Sequence, residues 1–155
     1  RVIIRGTGSL RSYNERTSTV LEPTCRQLIE RLGSVELTGV ITATGGVNSY
    51  YTQAVRDDCD SPNVIGMTSH WYENLTATIA GRTGRIRIEA EGPFEGDAET
   101  PPNGAQVRLR WKITGIDGDL RGMEGQGVSV GLSTAFKDQQ AASSTTYAVT
   151  LFLAK

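Results

Sequence analysis

Asn74-Leu75-Thr76-Ala77-Thr78-Ile79-Ala80-Gly81-Arg82-Thr83-Gly84-Arg85-Ile86-Arg87-Ile88-Glu89-Ala90-Glu91-Gly92 alternates apolar and polar side chains on both sides of a Gly-Arg-Thr-Gly turn. A period of two residues is that of a strand with one buried face, and two such runs joined by a glycine turn predict an antiparallel pair. Working outward, the same pattern predicts strands at Arg1 to Arg5, Val35 to Thr44, Val47 to Val55, Val64 to Ile79, Ala105 to Thr114, Gly125 to Leu132 and Thr145 to Leu153. Val64 to Ile79 is long enough to be broken or bent in the middle. Gly45-Gly46 reads as the hairpin between the second and third strands. Gly92-Pro93 reads as a strand end, since proline cannot donate to a ladder. Cys25 to Leu32 is the one helical candidate, opened by a capping box of Thr24 and Gln27, closed by Gly33, with Leu28, Ile29 and Leu32 as its apolar stripe, though so short a stretch is also compatible with a strand. Glu95 to Gly104 and Lys137 to Ser144 are polar connections.

The chain has 155 residues with 18 glycines and 5 prolines, no internal repeat and no dividing linker, so a single all-β domain spanning 1–155 is expected, an eight-stranded antiparallel barrel or sandwich. Sixteen basic and 17 acidic residues give a net charge of -1, without the positive field that nucleic acid or anionic membrane requires. No run reaches the roughly 18 apolar residues of a spanning helix, so membrane insertion is not expected. Self-association into a homo-oligomer is left open.

Cys25 and Cys59 are the only cysteines, and with a single histidine they cannot complete a four-ligand zinc site. If they pair, the disulfide closes a loop of about 35 residues and limits the unfolded chain by about 3 kcal/mol. The alternative is two reduced, buried thiols in a cytosolic protein. Asn74-Leu75-Thr76 is an N-glycosylation sequon, a pattern that 29 serines and threonines beside 5 asparagines also produce by chance. Arg1 in place of a methionine suggests a removed leader or an expression remnant. Together these favour a secretory setting over the cytosol. Asp57, Asp58 and Asp60 lack the spacing of a calcium loop. Gly115, Gly118, Gly122, Gly125 and Gly127 lack the helix and the lysine of a phosphate loop, and read as turn and bulge glycines.

The run Asn74 to Gly84, the strand Arg85 to Glu91 and Gly92-Pro93-Phe94-Glu95-Gly96 resemble a mainly bacterial family of unassigned function that repeats "strand, Gly-Arg-Ser-Gly, strand, Gly-Thr-Phe-Asp-Gly". Ile113-Thr114-Gly115-Ile116-Asp117-Gly118-Asp119-Leu120-Arg121-Gly122-Met123-Glu124-Gly125-Gln126-Gly127 resembles that family's second glycine pattern. The family is similar to allene oxide cyclase and, more distantly, to plant dirigent proteins. The resemblance covers roughly residues 74 to 131 and implies a calycin-like barrel whose lumen can hold one small apolar molecule. Three departures stand against a transfer of function: the Cys25 to Gly33 segment, the acidic loop around Cys59, and the long Glu95 to Gly104 connection.

Alternation turns one known position into a rule for its whole strand. With Asn74 outward, Met67, Ser69, Trp71, Glu73, Leu75, Ala77 and Ile79 face the lumen, while His70 and Tyr72 face solvent. The same rule turns Ile86, Ile88 and Ala90, then Val107, Leu109, Trp111 and Ile113, and Tyr147, Val149, Leu151 and Leu153 inward, with Val47, Ser49, Tyr51, Gln53 and Val55 in the third strand. The charges on the alternate positions can then pair across strands on the outer wall. Glu73 among Trp71, Leu75 and Trp111 would resist ionising and could move a proton; the simpler reading seats it at the mouth, solvated or paired with an arginine. Met67, Ser69, Trp71, Tyr51, Gln53, Trp111 and Tyr147 are candidate ligand contacts, or plain core and backbone-bonding residues. These residues predict a cofactor-independent cyclase or isomerase of a small apolar natural product. The alternatives are a secreted carrier that binds such a molecule unchanged, and a structural barrel with a filled lumen.

Overall fold

A computed structural model of the chain describes residues 1–21, 26–55, 63–97, 104–135 and 140–155, and side chains within 1–13, 32–46, 65–96, 104–132 and 142–155. Eight strands follow one another: β1 Val2–Leu21, β2 Arg26–Gly39, β3 Thr42–Val55, β4 Asn63–Ile79, β5 Arg82–Asp97, β6 Ala105–Gly115, β7 Glu124–Ala135 and β8 Gln140–Leu153. Each pairs antiparallel with its neighbours in sequence, and β8 pairs with β1, closing the sheet into a barrel. Closure removes every exposed sheet edge. Among the described residues the only helical piece is a 3-10 turn at Gly118–Leu120, and no helix is long and apolar enough to cross a membrane.

Pairing fixes the stagger. The ring of partners from Leu10 through Thr145, Gly131, Val107, Phe94, Gly66, Gln53 and Gln27 returns to β1 at Val20, ten residues further on. Eight strands with such a shear tilt by roughly 40° and enclose an interior that side chains just fill or that holds one small ligand.

Strict alternation builds the wall: β6 reads buried, exposed, buried through its length. Val107, Leu109, Trp111 and Ile113 point in, as do Ile86, Ile88 and Ala90 of β5 and Tyr147, Val149, Leu151 and Leu153 of β8, all as expected. Outside, Arg110 lies 3.5 Å from Glu91 across β6 and β5, in line with the expected pairing of outer charges.

One end of the barrel is plugged. The connection between β6 and β7 folds back so that Leu120 and Met123, each 1% exposed, join the same core cluster as Ile41, Ile79 and Leu153. The Gly115 N–H donates to the Met123 carbonyl at 2.8 Å, and a Cβ on Gly115 would run into the Leu120 carbonyl oxygen. That explains the second glycine pattern without any ligand: it is the lid of the plugged end. Arg85 fastens the lid, its Nε donating to Asp117 Oδ2 at 2.6 Å and its backbone N–H to Asp117 Oδ1 at 2.8 Å. These bonds hold the Asp117 carboxyl below its usual range and the guanidinium above its own.

Several boundaries differ from expectation. Residues 26–33 form part of β2 and not a helix, because the run pairs with β1 and β3 along its whole length and eight residues of helical pattern cannot outweigh two ladders. The β2–β3 hairpin turns at Gly39 to Ile41, and Gly45-Gly46 lie inside β3 at a register shift between Thr44 and Asn48. β5 runs through Gly92-Pro93, with the exposed Pro93 opposite Met67.

Candidate functional site

The decisive local feature is a β-bulge in β4. Tyr72 pairs with Ile88 and Leu75 with Ile86, so Glu73 and Asn74 of β4 stand against the single Arg87 of β5, and Asn74 takes φ 54°. Asparagine tolerates this left-handed conformation better than most residues. The extra residue places Glu73 and Asn74 both on the outer wall and reverses the facing of everything before them. Leu75, Ala77 and Ile79 point inward as expected. Upstream of the bulge the inward set is Thr68, His70 and Tyr72, at 5%, 8% and 3% exposure.

The expected lumen residues of this segment are therefore corrected. Glu73 is exposed on the outside and reaches no lumen; burying an unpaired carboxylate would cost several kcal/mol, which the bulge avoids. Met67 is exposed, and Ser69 and Trp71 are half-buried on the outer wall. His70, expected in solvent, is inside: its Nε2 shares a 2.9 Å hydrogen bond with Thr68 Oγ1, and its ring stacks on Tyr72 at 5.9 Å and 7°. Asn74 is exposed. The side chains of Tyr51 and Gln53, together with Cys25, Cys59 and the acidic loop, lie outside the described residues. Among the described residues no group of three metal-ligating side chains forms.

Tyr147 and Trp111 form an aromatic floor halfway along the barrel, ring centroids 5.0 Å apart. The Tyr147 hydroxyl donates to the Thr38 carbonyl at 2.7 Å, with the Ile41 carbonyl at 3.0 Å, and accepts the Ile41 N–H at 3.1 Å. Burial raises its pKa, partly offset by that N–H. Gly8 leaves the notch for this contact, since a Cβ there would meet the Tyr147 hydroxyl and the Thr38 carbonyl. Trp111 Nε1 donates to Ser129 at 2.9 Å. The polar atoms of both floor residues are thus engaged within the protein.

Above the floor the lining becomes polar. Ser12 and Ser143 hydrogen-bond to each other at 2.8 Å, and Thr145 is 6% exposed, its Oγ1 buried without a partner among the described residues. β4 stands four strands from β8, directly across the ring. The stagger accumulates half of its ten residues over that distance, so the position on β4 level with Thr145 lies five residues on from its ring partner Gly66, next to His70. Phe94, Val107 and Ala105, all buried, continue the wall towards the end opposite the plug. Among the described residues the buried set contains no carboxylate, lysine or arginine. Inward-facing hydroxyls and one imidazole thus stand above an aromatic floor.

No model of a known protein family matches the chain, and no curated protein matches it.

Proposed function

We propose that this barrel is a carrier that binds one small, largely apolar molecule in the half of its lumen away from the plug. The observation that carries the reading is the change of lining at the level of Thr145 and His70. Below it the interior is closed by packed apolar and aromatic residues; at it, hydroxyls and an imidazole face inward, one of them unsatisfied. Buried polar groups without partners are uncommon in folded proteins and mark places where a further partner belongs. The resemblance to the allene oxide cyclase pattern is compatible with a ligand in the lumen.

A second reading, a cofactor-independent cyclase or isomerase, is favoured by the buried His70 and Thr68 pair. An imidazole within hydrogen-bond reach of a hydroxyl can serve as a proton donor or acceptor. That role passes to His70 because Glu73 is on the outer wall.

The test is titration with 1-anilinonaphthalene, an uncharged dye. One dye per barrel is expected, with binding lost in Ser12→Phe, which fills the lumen, while the fold persists by circular dichroism. Unchanged dye binding in Ser12→Phe would place the dye on the outer wall, where Val128, Val130 and Leu132 are exposed, and would refute the reading.

A further inference from the structure

We infer that the molecule held in this lumen carries a neutral oxygen, that of a ketone, an ester or an alcohol, and that it sits with this oxygen inward, between Thr145 and His70. This rests on the lumen being a binding site, and goes further by assigning the chemistry and direction of the ligand.

Three observations combine. Thr145 Oγ1 is buried beyond the reach of solvent and has no partner among the described residues, although a hydroxyl can both donate and accept. The neighbouring polar atoms are engaged with one another: Trp111 with Ser129, Tyr147 with the backbone at Thr38 and Ile41, Ser12 with Ser143. The unpartnered hydroxyl of the described lining is therefore that of Thr145, opposite the His70 and Thr68 pair. Among the described residues the buried set holds no carboxylate, lysine or arginine to neutralise a ligand charge, which favours a neutral group at Thr145.

Direction follows from the floor. Leu10, Tyr147 and Trp111 close the barrel just beneath Thr145, at 2%, 2% and 4% exposure, so an apolar tail cannot pass below it. The oxygen must then lead and the apolar remainder trail along Phe94 and Val107. A site that hydrogen-bonds an oxygen discriminates strongly against an isostere lacking it, because the buried hydroxyl then stays unpaired.

The experiment compares acetophenone, ethylbenzene and benzoate, which share a ring and differ in the group presented. Binding is read from the indole N–H resonance of Trp111 in protein carrying Trp71→Phe, so that one tryptophan remains. Acetophenone is expected to bind at least fivefold more tightly than ethylbenzene, and benzoate most weakly. Thr145→Val is expected to bring acetophenone down to the hydrocarbon while leaving ethylbenzene unchanged. Equal binding of acetophenone and ethylbenzene to the parent protein would overturn the oxygen assignment and leave the lumen site standing, and that ratio decides the matter even if Thr145→Val does not fold. No shift with any of the three would overturn the lumen site itself.

Discussion

Replacing Tyr147 with Phe removes one oxygen atom from a packed floor and leaves the ring where it is. That oxygen serves three backbone groups, the carbonyls of Thr38 and Ile41 and the Ile41 N–H, and Ile41 is wholly buried at 0% exposure. An orphaned buried donor or acceptor costs about 1–3 kcal/mol. Because the groups share one partner and the turn can relax, the combined loss should be about 2–4 kcal/mol. For a domain of this size each kcal/mol lowers the melting temperature by roughly 2–4 °C, so a fall of roughly 4–16 °C is expected by calorimetry. Alkaline pH gives a second readout. The folded-state pKa of Tyr147 is raised by burial, so the unfolded chain loses this proton first. The contribution is complete below the ordinary tyrosine pKa of about 10 and is lost as pH rises from there towards the folded value. Tyr147→Phe should therefore flatten part of the alkaline decline in stability. A melting temperature within 2 °C of the parent, with the aromatic circular dichroism unchanged, would refute the clamp.

Other perturbations separate the parts of the account. Asp117 has a lowered folded-state pKa, so its link to Arg85 stabilises above the ordinary carboxylate range and is lost as pH falls through about 4 and below; Asp117→Asn should reduce the acid dependence of urea unfolding, and an unchanged acid slope would contradict the contact. Asn74→Ala should destabilise by about 1 kcal/mol and Asn74→Gly should be neutral or stabilising, because only the first strains a left-handed residue; chemical denaturation of unglycosylated protein gives the order, and the reverse order would deny the bulge. Glu73→Gln should leave both stability and anilinonaphthalene binding within error of the parent, since its side chain is on the outer wall; a tenfold loss of dye affinity would return it to the lumen.

The eight-stranded all-β fold was legible in the sequence because alternation and glycine punctuation survive wherever a strand is regular, whereas closure into a barrel and not a sandwich was implied only by the family resemblance. β5, β6 and β8 point the side chains inward that their patterns predict, and the long run before Ile79 does carry its irregularity. What could not be read was where that irregularity fell. A single extra residue at Glu73 and Asn74 exchanges the two faces of β4, so a parity set from Asn74 is right for Leu75, Ala77 and Ile79 and inverted for Met67 to Tyr72. The signal was present in energetic form: unbroken alternation would have buried Glu73 among apolar neighbours, and an asparagine stood beside it, able to take the left-handed turn that avoids this. His70 was missed for the same reason. The helix expected at Cys25 to Leu32 failed on non-local grounds, since β2 is set by ladders to β1 and β3 whose partners lie far along the chain. Tyr147 was legible as inward-facing, but its three backbone partners arise from the close approach at Gly8, which no spacing announces.

The account turns on which residue of β4 faces the lumen, and the sole histidine gives an unambiguous readout. Diethyl pyrocarbonate acylates accessible imidazole, so its rate of reaction with His70 in the folded chain can be set against the rate in urea. The inward, hydrogen-bonded ring should react many-fold more slowly when folded, and more slowly still with acetophenone bound. Reaction of the folded chain at the unfolded rate would put His70 in solvent, restore unbroken alternation through Glu73, and contradict the site described above.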